Sequence, residues 1–348
     1  MKKLLLALGA AACAISTSIA QTPPTTAPSP GEIVTAAPAS DWTTIAASDL
    51  LVMDLAPGPR GPRRVVIQLM PAPFSQGWIG NIRKLAAAKW WDGTSVNRVQ
   101  DNYVVQWGDA TEKKALPEGL AVVPGVDYVV MSPKITDFWA RIGRKGVRST
   151  VTSVVRRADD PAPATIADPY AQYAAFVASF PLALDVSIGS EDRVVPSGKT
   201  FTFAVGVPER AWPVHCYAMV GVGRNLSPDT GSGAELYTVI GHAPRHLDRN
   251  IALVGRVIEG IEHLSSLPRG TGTLGFYETE AERVPILSVR IGAEASDLAA
   301  YEYLSTESES FARYADARAN RRDPFFIRPA GGADICNIPV PVRRVAAK

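Results

Sequence analysis

From Asp49 onward, short runs dense in Val, Ile and Leu alternate with turns rich in Gly and Pro, the pattern of a mainly β chain. Residues 50–55 and 64–69 predict two strands around the turn Pro57-Gly58-Pro59-Arg60-Gly61-Pro62. Trp78, Ile79, Ile82, Leu85 and Ala86 then recur at three- and four-residue spacings, so one apolar stripe predicts a helix that ends before Gly93. Strands follow at 95–100 and 102–106, around a turn at Asp101-Asn102. Further strands are predicted at 214–222, 236–240, 251–257 and 286–291, with a short helix at 261–267.

Between Asp109 and Trp212 the pattern is irregular. It contains strand-like pieces at 128–131 and 150–156 and a stretch at 170–180, bounded by Pro169 and Pro181, that predicts a short helix. Residues 295–320 predict a long helix with Leu298, Tyr301, Leu304, Phe311 and Tyr314 as docking positions, followed by a tail rich in Pro and Gly. No internal repeat is present.

The first twenty residues carry Lys2 and Lys3, an apolar run over 4–15 and the small-residue ending Ser18-Ile19-Ala20. That layout predicts a signal peptide cleaved after Ala20, and hence a periplasmic or secreted protein. The apolar run is shorter than the roughly 20 residues a membrane span needs, and no other run is long enough. Ala10-Ala11-Ala12-Cys13 offers a minor alternative, lipid attachment at Cys13, but lacks the usual Leu three residues before the cysteine. Residues 21–47, rich in Pro, Thr and Ala, read as an extended tether.

Composition narrows the function. Hydrophobic residues make up 46% of the 348 and charged residues 20%, enough to bury a core. The formal charge is +2, and without Lys2 and Lys3 the basic and acidic residues balance. A general nucleic-acid binder, which needs surplus cations to displace counterions, is excluded. After cleavage only Cys216 and Cys336 remain. A disulfide between them would close a loop of about 120 residues; two buried free thiols are the other reading.

The chemistry lies in two blocks. The first runs Asn97-Arg98-Val99-Gln100-Asp101-Asn102-Tyr103-Val104-Val105-Gln106-Trp107-Gly108-Asp109. The second includes Ala218-Met219, Gly233-Ala234-Glu235-Leu236-Tyr237, Leu247-Asp248 and Gly255-Arg256-Val257. With the strand at 65–69, the Ala72-Pro73 pair and the helix containing Asn81, these blocks resemble the cyclophilin family of peptidyl-prolyl cis-trans isomerases. The matching features are an Arg with an aromatic five residues on, Gln three further, then Gly-Asp, and downstream a small residue plus Met, a Gly-to-aromatic strand and Leu-Asp.

The resemblance implies an eight-stranded antiparallel β-barrel capped by two helices. It would be formed by residues 48–109 and 212–292, with 110–211 as a long irregular insertion and 293–348 as a C-terminal helix and tail. It implies no cofactor and no metal. Arg98 and Gln106 become the catalytic pair. Tyr103, Met219, Tyr237 and Leu247 become the walls of a proline pocket, and Ala218 and Gly221 the backbone partners of a bound peptide. Glu235, His246 and Ile251 fall at substrate-binding positions but depart from the family's usual Gln, Trp, and His or Tyr. Tyr237 stands for a usual Phe and Trp107 for a usual Gly. The Tyr237 hydroxyl must find a partner or make the pocket shallower.

Arg98 suits the chemistry on its own terms. Rotation about an X–Pro bond needs no covalent step, only a grip on the ring and stabilisation of the twisted amide, and a permanently protonated guanidinium can donate to it. Other chemistries lack support. His242 and His246 are four apart, but Pro244 between them prevents the helical arrangement of a metalloprotease motif. Gly-x-Ser-x-Gly, Cys-x-x-Cys and a full dinucleotide fingerprint are absent. The expected partners are proline-containing peptides and folding envelope proteins, met by a monomer. A proline-peptide-binding module or envelope chaperone with little turnover is the alternative.

Overall fold

The computed structural model describes residues 27–132, 134, 170–194 and 200–345. The expected signal peptide, Cys13 and the strand expected at 150–156 lie outside the described residues. The described chain starts with a helix where composition predicts only a tether: α1 (Pro30–Thr35), followed by β1 (Trp42–Ile45). The local signal is a capping box, in which the Ser29 side chain accepts from Glu32 N and the Glu32 carboxylate accepts from Ser29 N, with Pro30 in the first turn. Ile33, Trp42 and Ile45 are buried and tie this segment to the rest.

The barrel then begins with β2 (Leu50–Gly58) and β3 (Gly61–Leu69), α2 (Gln76–Ala87), β4 (Ser95–Val99) and β5 (Val104–Gly108). The intervening segment supplies β6 (Val130–Met131), β7 (Tyr173–Val177), β8 (Phe180–Val194) and β9 (Thr200–Pro213). The barrel resumes with β10 (Met219–Val222), β11 (Leu236–Val239), β12 (Leu253–Glu259), α3 (Glu262–Ser265) and β13 (Val284–Ile291). Its eight antiparallel strands close in the order β10-β11-β5-β4-β13-β2-β3-β12. Closure leaves the barrel no edge strand, and the inward side chains of successive strands form the core. The α2 stripe of Trp78, Ile79, Ile82, Leu85 and Ala86 is buried against that core. Beside the stripe, buried Asn81 donates to Ala121 O and Ser232 O and accepts from Ala121 N, which fastens two loops to the helix.

One predicted helix is a strand hairpin, and part of another is a strand. Residues 170–180 form β7 and the start of β8, joined through Ala178 and Ser179, whose φ values of 45° and 76° make a tight hairpin turn. Two aromatic residues of this segment make tertiary contacts. Phe176 meets Phe311 edge-on at 5.3 Å, and Phe180 lies under the Arg256 guanidinium at 5.5 Å. The insertion is therefore built around a four-stranded sheet, ordered β6-β9-β8-β7, whose Phe176, Phe180, Leu182 and Trp212 join the same core as the barrel.

The long helix expected at 295–320 divides in two. Tyr301–Leu304 is β14, the centre of a three-stranded sheet with β1 on one side and β15 (Val342–Arg344) on the other. Only Glu309–Ala319 is helical (α4), started by Ser308, whose side chain accepts from Phe311 N at 3.0 Å. Cys216 and Cys336 are joined in a disulfide, which fastens the C-terminal tail to the barrel next to β10. Among the described residues no helix is long and apolar enough to cross a membrane.

Candidate active site

The barrel register lines up four of the expected site residues. Arg98 on β4 pairs with Gln106 on β5, Gln106 with Tyr237 on β11, and Tyr237 with Gly221 on β10. Directly paired residues share a sheet face, so the four form one row across four strands. Beside that row Val104, Tyr237 and Val239 are buried together, with Tyr103 and Ile251 packed against them. The result is a largely buried apolar cluster next to a cation, edged by half-buried Tyr103 and Ile251.

Arg98 is held in place by neutral acceptors. Its Nε donates to Leu274 O at 2.8 Å, one terminal nitrogen donates to Gln106 Oε1 at 3.2 Å, and the other donates to Gln100 Oε1. The guanidinium lies over the rings of Tyr103 at 5.8 Å and Phe276 at 5.2 Å. Partial burial lowers its pKa from the ordinary guanidinium value, while its charge persists at neutral pH. Leu274 and Phe276 belong to a strap that docks on β4: Gly270 N donates to Val99 O and Tyr277 N donates to Asn97 O. A Cβ on Gly275 would lie 2.6 Å from Gln100 Cα, and its φ of +80° also calls for glycine.

Gln106 is oriented from both ends. Its carbonyl oxygen accepts from Arg98, and its side chain bonds to the Glu235 carboxylate. Glu235 also accepts from Asp109 N at 2.7 Å and from Asn97 Nδ2 at 3.5 Å. Burial raises the Glu235 pKa, opposed by the bonds from Asn97, Asp109 and Gln106. A Cβ on Gly108 would fall 1.8 Å from Glu235 Oε1, so the glycine of the Gly-Asp pair makes room for this carboxylate. Asn97, Arg98, Gln106, Glu235 and Phe276 line a cleft of about 760 Å³. A second, of about 670 Å³, lies on the side of Tyr103 that faces His246, lined also by Tyr170, Tyr217 and Cys336.

No family model matches the sequence, and no curated protein matches it. Among solved structures, the chain is similar to a cyclophilin from Hirschia baltica, with 19% identity, a TM-score of 0.57, and coverage of 88% of this chain and 94% of that one. The chain has the cyclophilin fold. A cyclophilin-type peptidyl-prolyl cis-trans isomerase of Cryptosporidium parvum, solved in the presence of the dipeptide Ala-Pro, aligns at 9% identity with a TM-score of 0.35, over 70% of this chain and 98% of its own.

Within the cyclophilin fold, the positions expected from sequence divide. Arg98, Gln106, Tyr103, Tyr237, Gly221 and Ile251 meet at the row and its apolar cluster. His246 is exposed on a 3-10 turn, Arg245–Leu247, its ring parallel to Tyr103 with centroids 6.5 Å apart, and Leu247 is half-buried on the same turn. Met219 is buried in the barrel core, paired in register with Arg256, whose guanidinium lies over Phe180 of the inserted hairpin. The Ala218 backbone is engaged within the barrel, its N–H donating to Val239 O at 2.9 Å and its carbonyl accepting from Val257 N at 2.8 Å.

Sequence reasoning missed the supports of the site. Nothing in the sequence marks His215, Leu274 or Phe276, and Asp248 and Val104 enter only as members of the matching blocks, without a role. The Tyr237 hydroxyl finds its partner in His215, whose Nε2 accepts at 2.9 Å. The tyrosine in place of phenylalanine was the available signal for such a partner.

Proposed function

We propose that this chain is a peptidyl-prolyl cis-trans isomerase acting on exposed X–Pro bonds of exported proteins as they fold. The observation that carries this reading is the placement of Arg98 beside the apolar cluster of Tyr103, Val104, Tyr237 and Ile251. An X–Pro bond resists rotation by roughly 18–20 kcal/mol because its C–N bond is partly double. A prolyl ring seated on the apolar cluster would place its amide within reach of the guanidinium. The twisted amide has a more basic nitrogen than the planar one, so a donor fixed there binds the transition state more tightly than either ground state.

The guanidinium has more N–H groups than its three side-chain and backbone acceptors use, so donation to substrate costs none of the bonds that hold it. Gln106, oriented by Glu235, is the candidate hydrogen-bonding partner for the peptide backbone. Tyr170, from the inserted segment, borders the cleft beside Tyr103, which supports a role for the insertion in controlling access by protein substrates. The disulfide suits the oxidising compartment to which residues 1–20 would direct the chain.

The test is exchange NMR on an Ala-Pro tetrapeptide. Arg98→Ala should lower kcat/KM by about 10²–10³, the usual effect of removing a preorganised donor, with the folded spectrum retained. A folded Arg98→Ala protein that catalyses as well as the parent would refute the assignment. The alternative is a module that grips proline segments with little turnover. It predicts peptide binding with slow exchange insensitive to Arg98.

A further inference from the structure

Beneath the apolar cluster runs a buried chain of four polar side chains, Tyr237, His215, Asp248 and Arg245, with exposures of 4%, 0%, 3% and 4%. Its direction is fixed at one end. Arg245 can only donate, and its Nε does so to Asp248 Oδ2 at 2.6 Å. The other carboxylate oxygen, Oδ1, accepts from the His215 backbone N–H at 3.0 Å and from Nδ1 at 2.8 Å. Nδ1 therefore carries the imidazole proton, Nε2 is the acceptor, and the Tyr237 hydroxyl donates to it at 2.9 Å. Burial lowers the His215 pKa against the opposing effect of Asp248, in keeping with the neutral imidazole this arrangement needs.

The chain holds one ring. The Tyr237 plane lies nearly parallel to that of His215, with centroids 6.3 Å apart. It also lies against the backbone at Gly221, where a Cβ would come within 2.3 Å of Cζ. A buried ion pair and its hydrogen bonds are a weak source of net stability, and a phenylalanine would fill the same space without a polar atom. What the tyrosine gains is a hydroxyl anchored away from the cluster.

We propose that His215 is a positioning residue: by accepting the Tyr237 hydroxyl it fixes the floor of the proline pocket, so that a prolyl ring meets only an aromatic face. This rests on the proline-binding reading above. Loss of the acceptor leaves a hydroxyl with no buried partner, which must tilt the ring or turn into the pocket.

The experiment uses the full chain and the Ala-Pro tetrapeptide. His215→Leu should raise KM about tenfold with kcat little changed. Adding Tyr237→Phe removes the stranded hydroxyl and should return KM to within about twofold of the parent, a rescue that loss of general packing would not show. If His215→Leu does not fold, Asp248→Asn replaces it. That change allows the other imidazole tautomer, in which Nε2 donates to the Tyr237 oxygen and the hydroxyl proton loses its acceptor, and it should likewise raise KM and be rescued by Tyr237→Phe. Long-range ¹⁵N spectra of the histidine rings should show His215 as the Nδ1–H tautomer. An Nε2–H tautomer, a folded His215→Leu protein with unchanged KM, or failure of rescue would overturn the inference alone. No binding of the tetrapeptide by the parent protein would remove the proline-binding reading and this inference with it.

Discussion

Gly221→Ala is the sharpest probe of the site's geometry, because the added methyl has nowhere to go. The new Cβ would lie 2.3 Å from both Cζ and the hydroxyl oxygen of Tyr237 and 2.7 Å from Cε1. Carbon atoms in ordinary contact stand about 3.5–4.0 Å apart, so ring and strand must separate by more than about 1 Å. Neither yields easily: the hydroxyl is bonded to His215, and β10 is paired on both sides, with β11 and β12. Overpacking of this kind costs about 1–3 kcal/mol. Replacing a strand glycine by alanine returns about 0.5–1 kcal/mol of chain entropy. The net expectation is a loss of about 1–2 kcal/mol in a urea titration, with a raised KM for the Ala-Pro tetrapeptide as the floor is displaced. Tyr237→Phe removes one of the three clashes, so the double variant should lose less than the sum of the two single losses. An unchanged urea midpoint together with an unchanged KM for Gly221→Ala would show that the ring does not lie against this backbone.

Two further outcomes follow from the same structure. Breaking the Cys216–Cys336 bond, by Cys336→Ser with Cys216→Ser, releases a loop with a sequence separation of 120 and should lower stability by up to about 4–5 kcal/mol; equal urea midpoints would deny the disulfide a stabilising role. Glu235→Gln tests the buried carboxylate. Its pKa is raised in the fold, so between about pH 4.5 and that higher value the native state binds more protons than the unfolded chain. Parent stability should therefore fall relative to Glu235→Gln as pH rises through that window, and urea midpoints with a constant difference from pH 4 to 8 would contradict it.

The barrel was readable because its strands carry local signals: valine- and isoleucine-rich runs, turn residues between them, and the helix stripe from Trp78 to Ala86. Arg98, Tyr103 and Gln106 stand out only through the resemblance to the cyclophilin pattern, with an aromatic five residues after the Arg and a Gln three further on. The misread segments are those whose structure is decided by distant partners. Residues 170–180 lie between two prolines that suggest a short helix, but Phe176 and Phe180 are claimed by Phe311 and Arg256, which are more than 70 residues away in sequence. Tyr301–Leu304 becomes a strand because β1 and β15 flank it, and neither is near in sequence. The supports of the site were hidden for the same reason. Nothing near His215 announces that its ring will lie between Asp248 and Tyr237, and the strap that carries Leu274 reaches β4 from more than 170 residues away.

The electrostatics of the row explain why its polar residues are arranged as they are. Three acceptors hold the Arg98 guanidinium, Leu274 O, Gln106 Oε1 and Gln100 Oε1, and all three are neutral. A carboxylate in any of those places would fix the side chain more strongly but would also cancel much of the field it casts on a bound amide. The nearby carboxylate, Glu235, acts through Gln106: it bonds to the amide that in turn accepts from Arg98. Glu235 can thus orient Gln106 without pairing directly with the cation. Partial burial completes the arrangement, since a charge shielded from water by Tyr103 and Phe276 acts through a lower dielectric than an exposed one. Neutral anchors, a displaced carboxylate and aromatic walls together leave Arg98 fixed in position with its charge unpaired by a carboxylate, which is what the proposed isomerase reading requires.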